Sequence, residues 1–266
     1  MGLKFMSLAS GSSGNCYYLG ANGYGILIDA GIGIRRIKKT LKDSGIGLEQ
    51  IMAAFITHDH IDHIQSIGSL AEKHDIPVYT TQKVNAGLNC GKYGKKLTFS
   101  RRIIEKENPV GIKDFEITAF NVPHDACDCV GYLVVYKQHK WVLATDVGHI
   151  DDTVSNYIRI ANHLVVEANY DREMLQHGKY PAFLKSRISD GYGHLCNSET
   201  AVFLAANFNF HLKNIWLCHL SKENNRPELA YQTVETEMEK RGIRIGKDVN
   251  LNVLKRDMPS ELFLLE

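Results

Sequence analysis

The sequence predicts an α/β protein with a core of two β-sheets and helices on the outside, and three observations carry that expectation. Short apolar runs bounded by turn residues recur along the chain and read as strands. Helix-period segments follow the strands in each half rather than forming a block of their own. No Gly/Ser- or Pro-rich linker and no repeat divides the 266 residues, so a single domain spanning 1–266 is expected.

The elements follow in order. Leu3–Ala9 and residues 16–19 and 24–29 are strand-like, separated by the turn-rich residues 10–15 and 21–23. A helix pattern covers Ile34–Asp43 and stops at Gly45. Residues 51–56 form a short buried strand, and helix periodicity resumes over 63–74. Further strands are expected at 76–79, 115–120, 132–136, 141–144, 164–167 and 215–218, with 132–136 and 141–144 paired as a hairpin. Helices are expected at 152–160, at 198–207 capped by Asn197, and at 227–241. A last strand at 249–254 closes the pattern.

Composition excludes some functions. With 31 basic and 30 acidic residues the formal net charge is +1, so a site for a polyanion has to be local. The best basic stretch, Lys92, Lys95, Lys96, Arg101, Arg102 and Lys106, is diluted by Glu105 and Glu107 and reads as a solvated face. No run approaches the ~18 uninterrupted apolar residues that a membrane helix needs, and the N-terminus lacks the apolar core of a secretory signal. The six cysteines form no C-x-x-C pair, so reduced thiols in a cytoplasmic protein are expected. Cys127 and Cys129, flanking Asp128, read as ordinary loop or core thiols.

The chemistry concentrates in Thr57-His58-Asp59-His60-Ile61-Asp62-His63, directly after a buried strand. His58, His60 and Asp62 alternate, so an extended segment would project them to one side, while His63 suits a turn into the following helix. Imidazole nitrogens and a carboxylate so close together suit zinc-like divalent ions. One such cluster does not saturate two metals. His124, Asp146 and His219 each sit where a strand should end, and together they supply the missing ligands.

These motifs resemble those of the metallo-β-lactamase superfamily along nearly the whole chain. The resemblance implies an αββα sandwich of two mixed β-sheets flanked by helices. It implies that His58, His60 and His124 hold one metal ion, that Asp62, His63 and His219 hold a second, and that Asp146 bridges them. Asp29 in Leu27-Ile28-Asp29-Ala30-Gly31 resembles the carboxylate that braces the metal loop. A bridging carboxylate is typical of thioesterases, phosphodiesterases and nucleases of the superfamily. Di-iron oxidoreductases usually carry Glu at the position of His60, so hydrolysis is favoured. Two divalent ions are expected, zinc first, with manganese or iron as alternatives.

Val165-Val166-Glu167, Gly193-His194-Leu195 and the loop from His219 through Ser221 to Asn224 are similar to motifs of RNase Z-like phosphodiesterases. There the non-ligand histidine protonates the leaving oxygen and the glutamate orients it, which assigns catalytic roles to His194 and Glu167. With Ser10-Gly11-Ser12-Ser13-Gly14-Asn15 these segments look like the YycJ/WalJ/VicX branch, whose members are regarded as DNA-processing exonucleases. Ser12, Ser13, Asn15, Ser221 and Asn224 are the expected phosphate contacts. Residues 146–194 leave no room for a β-CASP clamp domain. A metal-bridging hydroxide oriented by Asp62 would attack phosphorus in a cytoplasmic DNA exonuclease. Two alternatives stay open: a small-molecule metallo-hydrolase acting on a cyclic nucleotide, thioester or lactone, and a metal-containing regulatory binding protein.

Overall fold

The computed structural model describes residues 2–90 and 100–265, so Lys92, Lys95 and Lys96 of the basic stretch lie outside the described residues. Strands β1 (Leu3–Ala9), β2 (Cys16–Ala21) and β3 (Tyr24–Ile28) form an antiparallel meander. Helix α1 (Ile34–Asp43) leads into β4 (Ile51–Phe55), which lies parallel to β3. Ile37 and Leu41 of α1 are buried, each worth roughly 1.5–3 kcal/mol against exposure. Gly45, at φ 74°, ends the turn that stops the helix.

Next come α2 (Ile61–Ile64), α3 (Ile67–His74), β5 (Val78–Thr80), α4 (Gln82–Cys90) and β6 (Arg101–Ile103), with β5 and β6 continuing the parallel side. The single helix expected over 63–74 is broken at Gln65–Ser66. Ser66 turns its N–H to the Ala30 carbonyl and its hydroxyl to Ile32, which takes it out of the helical ladder.

The second sheet begins with β7 (Val110–Ile112) and β8 (Phe115–Asn121), then the hairpin of β9 (Val130–Tyr136) and β10 (His139–Ala144). Helix α5 (Asp152–Arg159), capped by Asp151, leads to β11 (His163–Glu167). Helices α6 (Arg172–His177), α7 (Ala182–Ser189) and α8 (Asn197–Ala206) precede β12 (Asn214–Cys218), and α9 (Pro227–Glu239) precedes β13 (Asn250–Val253). The cap of α8 falls on Cys196 rather than Asn197, because Glu199 Oε2 accepts the Cys196 N–H at 3.1 Å. β13 is not the last strand: β14 (Phe263–Leu265) pairs antiparallel with β1 at the edge of the first sheet. Among the described residues both sheets have seven strands and are mixed, with orders β14-β1-β2-β3-β4-β5-β6 and β13-β12-β11-β10-β9-β8-β7, and helices flank them.

The described residues cluster into two compact units, one from 2–90, 100–119, 126–129 and 255–265, the other from 120–125 and 130–254. In the first, one apolar cluster runs from Met6 and Leu8 through Leu27 and Ile37 to Val78 and Leu88. In the second, Trp141 of β10 and Trp216 of β12 are fully buried. Parallel register then sets the position of the polar residues. In the first unit Ile28 is level with Phe55, so Asp29 and Thr57 leave the sheet together. In the second, Ala144 is level with Val166 and Glu167 with Cys218, which delivers Asp146, Glu167 and His219 to one sheet edge. Among the described residues no helix is long and apolar enough to cross a membrane.

The second unit also buries a histidine pair, His139 Nδ1 lying 3.0 Å from His163 Nε2. Burial, with His139 and Lys213 adding to it, pushes His163 down to about 4 from the ordinary 6.5. The unfolded chain therefore takes up this proton first as pH falls. The contribution is full above pH 6.5 and is lost between 6.5 and about 4, at up to ~1.4 kcal/mol per pH unit. Chemical denaturation of the full chain at pH 7.5 and 5 should show this loss, and His163→Gln should flatten it.

Candidate metal centre

In the first unit the extended segment ends at His60, which caps α2, so Asp62 and His63 are presented by a helical turn. Strand alternation therefore does not place Asp62. The His58 ring centroid lies 4.6 Å from that of His60 and 4.1 Å from that of His63. Behind them Asp29 is fully buried; it accepts the Thr57 N–H at 2.9 Å and His63 Nδ1–H at 2.7 Å. Burial pushes the Asp29 carboxyl up, opposed by His63 and the Thr57 donors. Thr57 Oγ1 lies 3.0 Å from His58 Nδ1 and donates to Asp29, so one hydroxyl ties both imidazoles to the brace. Sequence reasoning missed this role of Thr57, although Thr57 stood in the motif.

The Ser/Gly loop serves the same unit differently for each residue. Asn15 is fully buried, and its amide donates to the Gly11 carbonyl and lies 3.0 Å from His63 Nε2. Ser12 and Ser13 are exposed, and Ser13 Oγ donates to Asp257 at 2.8 Å. Gly31 packs so closely on the Asp62 carbonyl that a Cβ would collide with it, which explains the glycine there.

In the second unit, the donor atoms of Asp146, Glu167, His194 and His219 all lie within 4.8 Å of one another. Glu167 is the hub and is fully buried. Its Oε1 accepts Nδ1–H of both His194 and His219 at 2.9 Å, and its Oε2 accepts the N–H groups of Val147 and Leu195. Burial favours the neutral acid, but the charge on His194 and the two imidazole hydrogen bonds outweigh it and hold Glu167 below the usual carboxylate range. Burial likewise works against a charged His194, yet the adjacent Glu167, with Asp146 behind it, raises His194 above the ordinary imidazole value. Asp146 Oδ1 lies 3.3 Å from His219 Nδ1 and 3.8 Å from His124 Nε2. His124 Nδ1 is 3.0 Å from the carbonyl of Gly193, where a Cβ would meet the carbonyls of Arg187 and Ile188.

These hydrogen bonds test whether the residues fit a metal. A carboxylate or carbonyl oxygen only accepts, so His63, His124 and His219 each carry their proton on Nδ1. Nε2 is left as the lone-pair nitrogen in all three, the tautomer a metal ligand requires. The donor set fits divalent ions with nitrogen and oxygen preferences.

Three candidate residues share a backbone property. Asp29, Asp146 and His219 follow strand ends in left-handed conformations, at φ 58°, 54° and 54°. For residues other than glycine this costs roughly 1–2 kcal/mol each. Ser221 and Asn224 lie buried in the loop after His219. Ser221 Oγ accepts the Asn224 N–H at 3.2 Å, while neither amide atom of the Asn224 side chain has a hydrogen-bond partner among the described residues. In the basic stretch Arg101 and Arg102 are exposed on β6, and Lys106 is paired with Asp128 at 2.6 Å.

Comparison with known proteins agrees with this geometry. Residues 24–208 match the family model of the β-lactamase superfamily domain. The chain is 35% identical over 263 residues to the exodeoxyribonuclease YycJ of Bacillus anthracis, covering 98% of this chain and 99% of that protein. It is 35% identical over 249 residues to the exodeoxyribonuclease WalJ of Streptococcus pneumoniae, covering 93% of each. Zinc-bound PqqB of Methylobacterium extorquens shares the fold, with a TM-score of 0.72 at 15% identity over 97% of this chain and 99% of that one. The chain belongs to the metallo-β-lactamase superfamily and is a hydrolase of its YycJ/WalJ branch.

Proposed function

We propose that this chain is a two-metal phosphodiester hydrolase that degrades DNA from an end. The observation that carries this is the buried Glu167 shared by His194 and His219, because it holds a raised-pKa imidazole beside Asp146. The two relatives named as exodeoxyribonucleases support the same substrate. His58, His60 and His124 would hold one ion and Asp62, His63 and His219 the other, with Asp146 as a ligand of both and Asp29 as the brace. The ions, zinc first and manganese or iron otherwise, supply Lewis-acid stabilisation of phosphate charge and a nucleophile available near neutral pH.

The chain's own residues do the rest. Asp62 orients the attacking water through its carboxylate. His194 gives the proton on Nε2 to the leaving oxygen, and Glu167 keeps it aligned and charged until transfer. Ser12, Ser13, Ser221 and Asn224 position phosphate, the last with its unsatisfied amide, and Asn15 holds the loop that carries the first two. Residues 1–266 act as one metallo-β-lactamase domain with no β-CASP insertion. A cytoplasmic setting suits Cys16, Cys127, Cys129, Cys196 and Cys218, which carry no disulfide.

The test is degradation of end-labelled single- and double-stranded DNA and RNA, with and without a 5′ phosphate, beside bis-p-nitrophenyl phosphate, a thioester and a lactone. Loss of label from DNA ends is the expected result. Preference for the carbonyl substrates sinks the proposal, and a metal-replete protein inert on all of them favours a binding role.

A further inference from the structure

Beside His194 the second unit opens a cavity of about 680 Å³, inside the range of about 300–1,000 Å³ typical of small-molecule sites. His194, with 20% of its side chain exposed, is part of its lining. Leu195, Ile150 and Phe203 form apolar walls, joined by Val202 and Ala206 one turn apart on α8. Val202 is 50% exposed, so α8 turns an apolar stripe outward into the cleft.

The polar lining is already committed. Glu199 accepts from Arg172 at 2.7 Å through Oε1 and from the Cys196 N–H through Oε2. Asp190 accepts the Tyr192 N–H at 2.9 Å. Apart from His194, two carboxylates face the single cation Arg172, which makes this a poor place for phosphate. A flat, neutral group with polar edges fits better, and His149, held by the Gly191 carbonyl through Nδ1 and edge-on to Tyr192, offers its other nitrogen at the rim.

We propose that this cleft seats the base of the nucleotide on the leaving-group side of the scissile phosphate, and so selects polynucleotides over small phosphodiesters. The inference rests on His194 being the acid that protonates the leaving oxygen: what departs from His194 Nε2 has to continue into the space beside it. An apolar stripe and an aromatic ring hold a base without reading its sequence.

The test uses the full-length, metal-replete enzyme and DNA strands in which the terminal or the penultimate nucleotide is intact or abasic. The leaving side is then covered whichever end is attacked. Wild type should cleave the intact strand about tenfold faster than one of the abasic strands, and Val202→Trp, which fills the cleft, should bring that ratio near one. Equilibrium binding of phosphorothioate-linked versions, followed by fluorescence anisotropy, should show the same change of ratio. Each ratio is taken within one protein, so partial unfolding cancels. A wild-type ratio near one overturns the base site while leaving the nuclease intact, and a ratio retained by Val202→Trp places base recognition elsewhere. No cleavage of any strand overturns the nuclease and this inference with it.

Discussion

His194→Ala should lower turnover on DNA by about 10²–10⁴-fold while the bound metal, measured by elemental analysis, stays at the wild-type level. The size follows from the removal of a general acid whose charged form is stabilised in the fold. Against burial, Glu167, by charge and by a 2.9 Å hydrogen bond, raises His194 above the ordinary imidazole value, so its proton is lost at higher pH than that of an ordinary imidazole. Turnover in wild type should fall on the alkaline side as His194 loses its proton, and the variant should lack that limb. An activated leaving group such as p-nitrophenolate needs little protonation, so the variant should lose far less on bis-p-nitrophenyl phosphate than on DNA. If the metal is lost along with activity, His194 is a ligand and its assignment as acid is wrong.

Removal of the metal should have the largest effect of all. Chelation followed by desalting is expected to lower DNA hydrolysis by more than about a thousandfold, and adding back zinc or manganese should restore it. Stability should move with it. In the first unit the His58 and His63 rings lie tilted with centroids 4.1 Å apart and fully buried; in the second, Asp146 and Glu167 bury two carboxylates within reach of each other. Ions that bind the native state add roughly 4 kcal/mol at a thousand times their dissociation constant, so thermal unfolding should shift down on chelation and back on reloading. Full activity in a chelated protein shown to be metal-free would remove the basis of the proposed chemistry.

The legible and illegible parts of the sequence differ in range. His58, His60, Asp62 and His63 lie within one short run after an apolar strand, so spacing alone exposes them. Asp146, Glu167 and His219 are each a single residue at a strand end, and only parallel register shows that they arrive at the same edge. The double duty of Glu167 is invisible in sequence because its partners, His194 and His219, are 27 and 52 residues away. Local elements fail for a related reason. Helix α7 buries none of its residues, so it has no apolar stripe to detect, and β6 is exposed throughout. Strand β14 owes its existence to β1, which lies at the other end of the chain.

Asp29, Asp146 and His219 turn left-handed at the moment they leave their strands. Glycine would adopt the same turns at no steric cost, so a lineage selected for thermal robustness alone would drift towards glycine at these three positions. Aspartate and histidine at these positions set durability against the proposed chemistry. For anyone engineering this scaffold, the residues that a stability-driven design would replace first are the ones on which the proposed reaction depends.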